Sequence, residues 1–273
     1  TISAHISSLE KELNARLFVR NTKEVKLSDD GKDLYRYARQ MIDLQKKIEE
    51  RFETGKEESK HLITIAASTI PAQYILPKIL MKFNERYPKE QVKLLETDSS
   101  QVVTQIIDHM VDVGFTGTVL EKKHCKYIPF YKDELVVITP NTEKYQKLLE
   151  DMPDDISWIG GEHLIMREEG SGTRKEAGKQ LRAAGINLDK LKIIASIENQ
   201  ETIKKSVKQG MGISVISRLA AEDEVKYGDL LAFSIPKADQ GRDINLVYNK
   251  NYQMSKSTER FVKIVKEIYG IEE

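Results

Sequence analysis

From residue 61 to about residue 225 the chain alternates short β-branched apolar runs with amphipathic helical stretches, and it does so in two successive series. In the first, residues 62–67, 92–96 and 111–115 read as strands, with helices over 71–87 and 101–110 between them. In the second, strands over 164–166, 193–197 and 213–216 alternate with helices over 173–184, 200–209 and 219–225. Such an alternation buries its strands only as a parallel sheet covered by helices, which sets the class as α/β. Two similar series imply two lobes. A strand over 134–139 is broken by Pro140-Asn141, and strands over 230–235 and 244–248 with a closing helix over 256–269 are expected to return in part to the first lobe.

The first sixty residues have a different texture. Ile2, Ile6, Leu9 and Leu13 fall at spacings of 4, 3 and 4, the stripe of an amphipathic helix whose other face holds Ser3, His5, Ser7 and Ser8. Two short β-prone pieces around Asn21-Thr22-Lys23 predict a hairpin, and Arg16, Arg20, Lys23 and Lys26 against the single Glu24 make it basic. The same residues also read as a solvated loop. Ser28 is the expected N-cap of a long helix, with Asp29 and Asp30 at the positive end of its dipole. Along it Leu34, Ala38, Met41, Gln45, Ile48 and Phe52 alternate by 4 and 3, the repeat of a coiled-coil seam, although an ordinary surface helix fits the short run too. Residues 53–60 lose the periodicity and read as a linker.

Charge narrows the partners. Lys and Arg (43) balance Asp and Glu (43), so no chain-wide field holds nucleic acid or an anionic membrane, and any DNA contact has to be local. Apolar runs such as 135–138 fall far short of the roughly 18 residues that would span a bilayer, so no membrane partner is expected. A single cysteine, with no basic and apolar leader pattern at the start, makes the cytoplasm the default compartment.

Three strand ends share one chemistry. Ser68-Thr69, Ser99-Ser100 and the run Arg167-Glu168-Glu169-Gly170-Ser171-Gly172-Thr173-Arg174 each lead from a strand into a helix. Ligands of open α/β sheets bind outside the carboxyl ends of the strands, where helix N-termini present free N–H groups. Hydroxyls and glycines there suit a small anion. Gly170 and Gly172 allow a nest of N–H donors, Ser171 and Thr173 add hydroxyls, and Arg174 supplies charge, whereas Glu168 and Glu169 must point away or be paired. Each segment also reads as an ordinary helix cap. There is no P-loop spacing and no Gly-x-Ser-x-Gly elbow, and His5, His61, His109, His124 and His163 are scattered. His124-Cys125 is an incidental pair rather than a metal site. Nothing requires an enzyme or a cofactor.

The opening residues closely resemble the winged helix-turn-helix signature of LysR-type transcriptional regulators. The match runs through Ser3-x-x-Ile6-x-x-Leu9-Glu10-x-x-Leu13, then Leu17-Phe18-Val19-Arg20, then Leu27-Ser28-Asp29-Asp30-Gly31, with Ser28 where the family usually has Thr. Ile75-Leu76-Pro77, Asp112-Val113-Gly114 and Gly210-Met211-Gly212-Ile213-Ser214-Val215-Ile216 resemble landmarks of the family's effector domain, so the likeness covers essentially the whole chain. The run from Arg167 to Arg174 is most similar to the branch that senses sulfur oxyanions or phosphorylated carbon-fixation metabolites, and the opening segment resembles regulators linked to sulfur or selenium metabolism. Its Ser-Gly-Thr piece also resembles oxyanion loops of periplasmic phosphate-binding proteins. The family carries two helices before its recognition helix, so the resemblance implies that sequence preceding residue 1 is missing.

The implied architecture is a remnant of a winged helix-turn-helix over residues 1–28 and a dimerising linker helix over 29–59. A two-lobed, periplasmic-binding-protein-like effector domain follows, with lobe I over 60–139 and 237–273 and lobe II over 140–236. The resemblance further implies that Thr1, Ser3, His5 and Ser7 face base edges while Arg20, Lys23 and Lys26 meet phosphates of a pseudo-palindromic operator. Linker helices would pair two chains, and dimers would join as tetramers. An anionic co-inducer would sit between the lobes, held by Ser68, Thr69, Ser99, Ser100 and Gln101 of one and Ser171, Gly172, Thr173 and Arg174 of the other, with Thr116, Thr118 and Thr202 at their margins. A transporter's solute-binding protein would use the same lobes without DNA, but residues 1–59 and the missing leader argue against it. An enzyme on this scaffold would need a nucleophile or base that does not stand out.

Overall fold

The computed structural model describes residues 2–20, 25–52, 62–153, 155–236 and 241–271. The chain divides into two compact units, one over residues 1–59 with 108–110 and one over the remainder.

In the first unit, α1 (Ile2–Glu12) leads to the strands β1 (Phe18–Arg20) and β2 (Val25–Leu27) and then to α2 (Asp29–Phe52). β1 and β2 pair antiparallel with Val19 opposite Lys26, the hairpin that the sequence predicts. The Glu10 carboxylate accepts hydrogen bonds from the N–H groups of Leu17 (2.8 Å) and Phe18 (3.3 Å), which ties α1 to the hairpin. Ser28 is the N-cap of α2, its Oγ accepting from the Gly31 N–H at 2.9 Å. Gly31 itself is required by space: a methyl group there would stand 2.0 Å from the Leu17 carbonyl oxygen. Ile2 and Leu9 of α1 and Met41, Ile42, Leu44 and Ile48 of α2 are exposed. The turn at 21–24, the linker at 53–60 and the side chain of Phe52 lie outside the described residues.

The second unit opens with β3 (Leu62–Ala67), a π-helical turn over Pro71–Ile75 and α3 (Leu76–Arg86). β4 (Gln91–Glu96), α4 (Ser99–Ile107), β5 (Val113–Thr116), β6 (Cys125–Asp133) and β7 (Leu135–Pro140) follow. Next come α5 (Glu143–Asp151), β8 (His163–Met166), α6 (Gly172–Ala183), β9 (Lys192–Ser196) and α7 (Gln200–Lys208). The chain continues with β10 (Ile213–Ser217), α8 (Arg218–Lys226), β11 (Leu230–Ser234), β12 (Arg242–Asn249) and α9 (Lys256–Tyr269).

Two five-stranded sheets result, in the orders β4-β3-β5-β12-β6 and β11-β7-β10-β8-β9. Each contains three parallel strands, as the alternation predicts, flanked by antiparallel ones. On the first sheet Ile63, Ile65 and Phe115 pack against Leu76 and Phe83 of α3 and Phe261 of α9, while Ala66 and Val247 face Val102 and Ile106 of α4. On the second, β7 sends Leu135 and Val137 to one core and Val136 and Ile138 to the other. Both faces are therefore dry, and each fully buried Leu, Ile, Val or Phe contributes about 1.5–3 kcal/mol relative to exposure.

Three expectations are corrected. The boundary between lobes falls before residue 135 rather than after 139, because β7 pairs with β10 and β11 of the second sheet. The strand β6 is missing from the sequence reading, where Pro129 and the flanking lysines break the strand pattern. β6 is an edge strand, the one position where a proline removes no needed donor. α4 runs over Ser99–Ile107 rather than 101–110, since Asp98 caps it through the N–H groups of Ser100 (2.8 Å) and Gln101 (2.9 Å) and His109 turns to φ 56° beyond its end. Among the described residues no helix is long and apolar enough to cross a membrane.

Candidate functional site

Three helical starts converge at the carboxyl ends of parallel strands. Ser68 and Thr69 follow β3, Asp98 and Ser99 follow β4, and Ser171, Gly172 and Thr173 stand between β8 and α6. With Ile70, Arg167, Glu168 and Arg242 they line a narrow cleft with about 10 Å³ of free space, room for about one water. Drug-sized ligands need roughly 300–1,000 Å³, which this cleft does not offer. Helix starts leave N–H groups without intrahelical acceptors, and here those of Ser100 and Gln101 are taken by Asp98 and that of Arg174 by Ser171 Oγ.

Its two guanidinium groups are buried and already engaged. Arg167, 5% exposed, places Nε 2.7 Å and Nη2 2.8 Å from the two oxygens of Glu168, and Nη2 also donates to Thr69 Oγ1 at 3.3 Å across the lobes. Arg242, also 5% exposed, donates through Nε to Asp133 Oδ2 at 2.8 Å and through Nη1 to Thr173 Oγ1 at 3.0 Å, again across the lobes. Asp133 further accepts from Ser217 Oγ at 2.5 Å. Because Thr69 and Thr173 accept from arginines, their own hydroxyl protons are left to donate. Ser99, 1% exposed, has no hydrogen-bond partner for its Oγ among the described residues. A buried hydroxyl left open in this way is costly unless something in the cleft satisfies it.

The glycines act by size. A methyl group on Gly170 would lie 2.8 Å from the Asp98 carboxylate carbon, and one on Gly172 would lie 2.6 Å from Ser99 Oγ. Neither has positive φ, so the expected nest built on conformational freedom is replaced by close approach of the second lobe's loop to the start of α4.

Of the residues singled out in the sequence, Ser68, Thr69, Ser99, Ser171, Gly172 and Thr173 come together in the cleft. The others do not line it. Ser100 and Gln101 are exposed, although Ser100 Oγ reaches Gly170 O at 3.5 Å. Thr116 Oγ1 donates to Thr118 O at 2.9 Å and both are buried behind the cleft, beside Gly117, whose lack of a side chain makes room for the Arg242 guanidinium. Arg174, expected to supply charge, instead donates to Arg167 O at 2.9 Å and Ser196 Oγ at 3.4 Å. Thr202 is exposed and donates to Asn199 Oδ1, the cap of α7. The charges come from Arg167, which opens the run to Arg174 and to which the sequence gives no role, and from Arg242, which stands far along the chain after a polar stretch and carries no local signal. Glu168 is paired, as the sequence required.

In the first unit Ser3, His5 and Ser7 of α1 are exposed, and Lys26 is exposed on β2. Thr1, Lys23 and the side chain of Arg20 lie outside the described residues. Burial, with Glu121 adding repulsion, pushes the Cys125 thiol up to about 11, which leaves it unreactive.

The model of the LysR substrate binding domain matches residues 56–269. The uncharacterized HTH-type transcriptional regulator MJ0300 of Methanocaldococcus jannaschii is 29% identical over 272 residues, covering 98% of this chain and 89% of that protein. Among solved structures, the regulatory domain of Synechocystis CcmR in complex with 2-PG superposes with a TM-score of 0.68 at 24% identity, over 77% of this chain and 98% of that one. Full-length CbnR complexed with its target DNA gives 0.70 at 17% identity, over 97% and 88%.

Proposed function

The chain belongs to the LysR family of transcriptional regulators, and from that premise we propose a one-component regulator whose cleft holds a small anionic co-inducer. The finer effector class is a sulfur or selenium oxyanion or a phosphorylated compound. Six hydroxyl- or glycine-bearing positions at three helix starts in one cleft support this, and the regulatory domain of CcmR, of the same fold, is solved in complex with 2-PG. The observation that carries the reading is the buried, unpartnered Ser99 Oγ among those donors.

On the DNA side, Thr1, Ser3, His5 and Ser7 would read base edges, while Arg20, Lys23 and Lys26 would meet phosphates. The exposed apolar residues of α2, Met41, Ile42, Leu44 and Ile48, support pairing of two chains through this helix, with paired recognition helices on a pseudo-palindromic operator. Dimers would assemble further as tetramers. Co-inducer binding would bias the positions of the lobes and thereby DNA binding.

A thermal-shift panel of the full chain with sulfate, sulfite, thiosulfate, selenate, phosphate and sugar phosphates tests the reading. An anion at 100 times its dissociation constant adds about 2.7 kcal/mol. A selective upward shift by one anion is expected; flat curves across the panel would return the cleft to a set of helix caps.

A further inference from the structure

Resting on the reading of the cleft as an anion site, we infer that its occupant brings at least one hydrogen-bond donor of its own and that Asp98 reads it. The ligand is thus a protonated oxyanion or a hydroxylated monoanion, not a bare dianion such as sulfate.

The charges lining the cleft decide this. Both oxygens of Glu168 lie on Arg167, and Arg242 is held by Asp133, so neither guanidinium offers the cleft an uncompensated charge. Asp98 also lines the cleft. Its Oδ1 accepts from the N–H groups of Ser100 and Gln101, whereas among the described residues no hydrogen bond reaches its Oδ2. The cleft therefore combines several donors, the hydroxyls of Ser99, Thr69 and Thr173, with one negatively charged acceptor left open.

A fully deprotonated oxyanion only accepts hydrogen bonds. It would satisfy the donors but set its own charge against Asp98 Oδ2, where both lining arginines are already paired. An anion that keeps a proton, or carries a hydroxyl beside its charged group, satisfies both sets at once. Rejection of the wrong anion through an unmatched acceptor is how a site of this size discriminates between ions of nearly equal shape. Inorganic phosphate keeps at least one proton at neutral pH, because its last ionisation lies far above pH 7, and sulfate keeps none.

The test is calorimetric titration of the full chain with inorganic phosphate and with sulfate at pH 7, wild type beside Asp98→Asn. Asparagine keeps the capping oxygen and exchanges the open acceptor for a donor. The wild-type chain should bind phosphate at least ten-fold more tightly than sulfate, and D98N should lose or invert that preference. Sulfate bound as tightly as phosphate by the wild-type chain would overturn the inference while leaving the anion site standing. A preference unchanged in D98N would remove Asp98 from the role. Binding of neither anion would bring down the anion-site reading together with the inference. The wild-type comparison stands by itself if D98N does not fold.

Discussion

Arg242 Nη2 lies 2.7 Å from Asp133 Oδ2, with both side chains buried at the place where the chain passes from one sheet to the other. Asp133 ends β6 and Arg242 begins β12, so this ion pair ties together the two crossings between lobes. Gly241, at φ 59°, makes the approach possible, since a methyl group there would lie 2.7 Å from the Asp133 carbonyl oxygen.

Removing one partner leaves the other charge buried and unpaired. Asp133→Ala is expected to cost about 3–5 kcal/mol in urea unfolding of the full chain. A loss below 1 kcal/mol would mean that Arg242 finds another acceptor or reaches water.

Gly172→Ala places a methyl group 2.6 Å from Ser99 Oγ and 3.1 Å from Thr118 Cγ2, on the face where the lobes meet. The substitution should weaken phosphate binding by roughly ten-fold, about 1.4 kcal/mol, as the loop and α4 are forced apart. Adding Ser99→Ala relieves the clash but removes an anion donor, so affinity should stay low in the double variant.

These contacts also show how much of the site could be read in advance. The strand-to-helix steps at Ser68, Ser99 and Ser171 were legible because capping chemistry is local. So were the parallel cores, through β-branched runs such as residues 62–67, and the Ser28 cap. Arg242 was not legible, because its role depends on Asp133, 109 residues away. Arg174 was misassigned because a basic residue in the first turn of α6 looks available until Arg167 O and Ser196 Oγ are seen to hold it. Strand β6 was hidden because edge position, which excuses Pro129, is a property of the sheet and not of the segment.

Gly31→Ala would drive a methyl group into the Leu17 carbonyl, which accepts the Ser28 N–H at 3.0 Å. Overpacking of this kind costs about 1–3 kcal/mol. Hydrogen exchange should quicken at the amides of Ser28, Leu17 and Phe18 and stay unchanged in β3 and β5; unchanged protection at Ser28 would show that the hairpin adjusts freely.

Hydrogen bonds from Arg218 hold the Glu134 carboxyl below its ordinary pKa. A depressed folded-state value means that the pair contributes above the unfolded pKa, about 4.3, and that its contribution is lost as pH falls through the lower folded value. The side chains are 43% and 42% exposed, so the contribution is under about 1 kcal/mol. Urea midpoints taken from pH 6 to pH 3 should fall less steeply in Glu134→Gln than in the wild-type chain; identical slopes would assign the acid sensitivity to other carboxylates.

The central claim is that the hydroxyls of two lobes hold one small anion between them. Calorimetric titration of the full chain with inorganic phosphate, wild type beside Thr69→Ala and Thr173→Ala, addresses it most directly. One phosphate per chain is predicted, with each substitution weakening binding at least ten-fold, because each removes a donor from one lobe and the acceptor of an arginine from the other. Unchanged affinity in both variants would contradict the account and place the anion elsewhere on the chain.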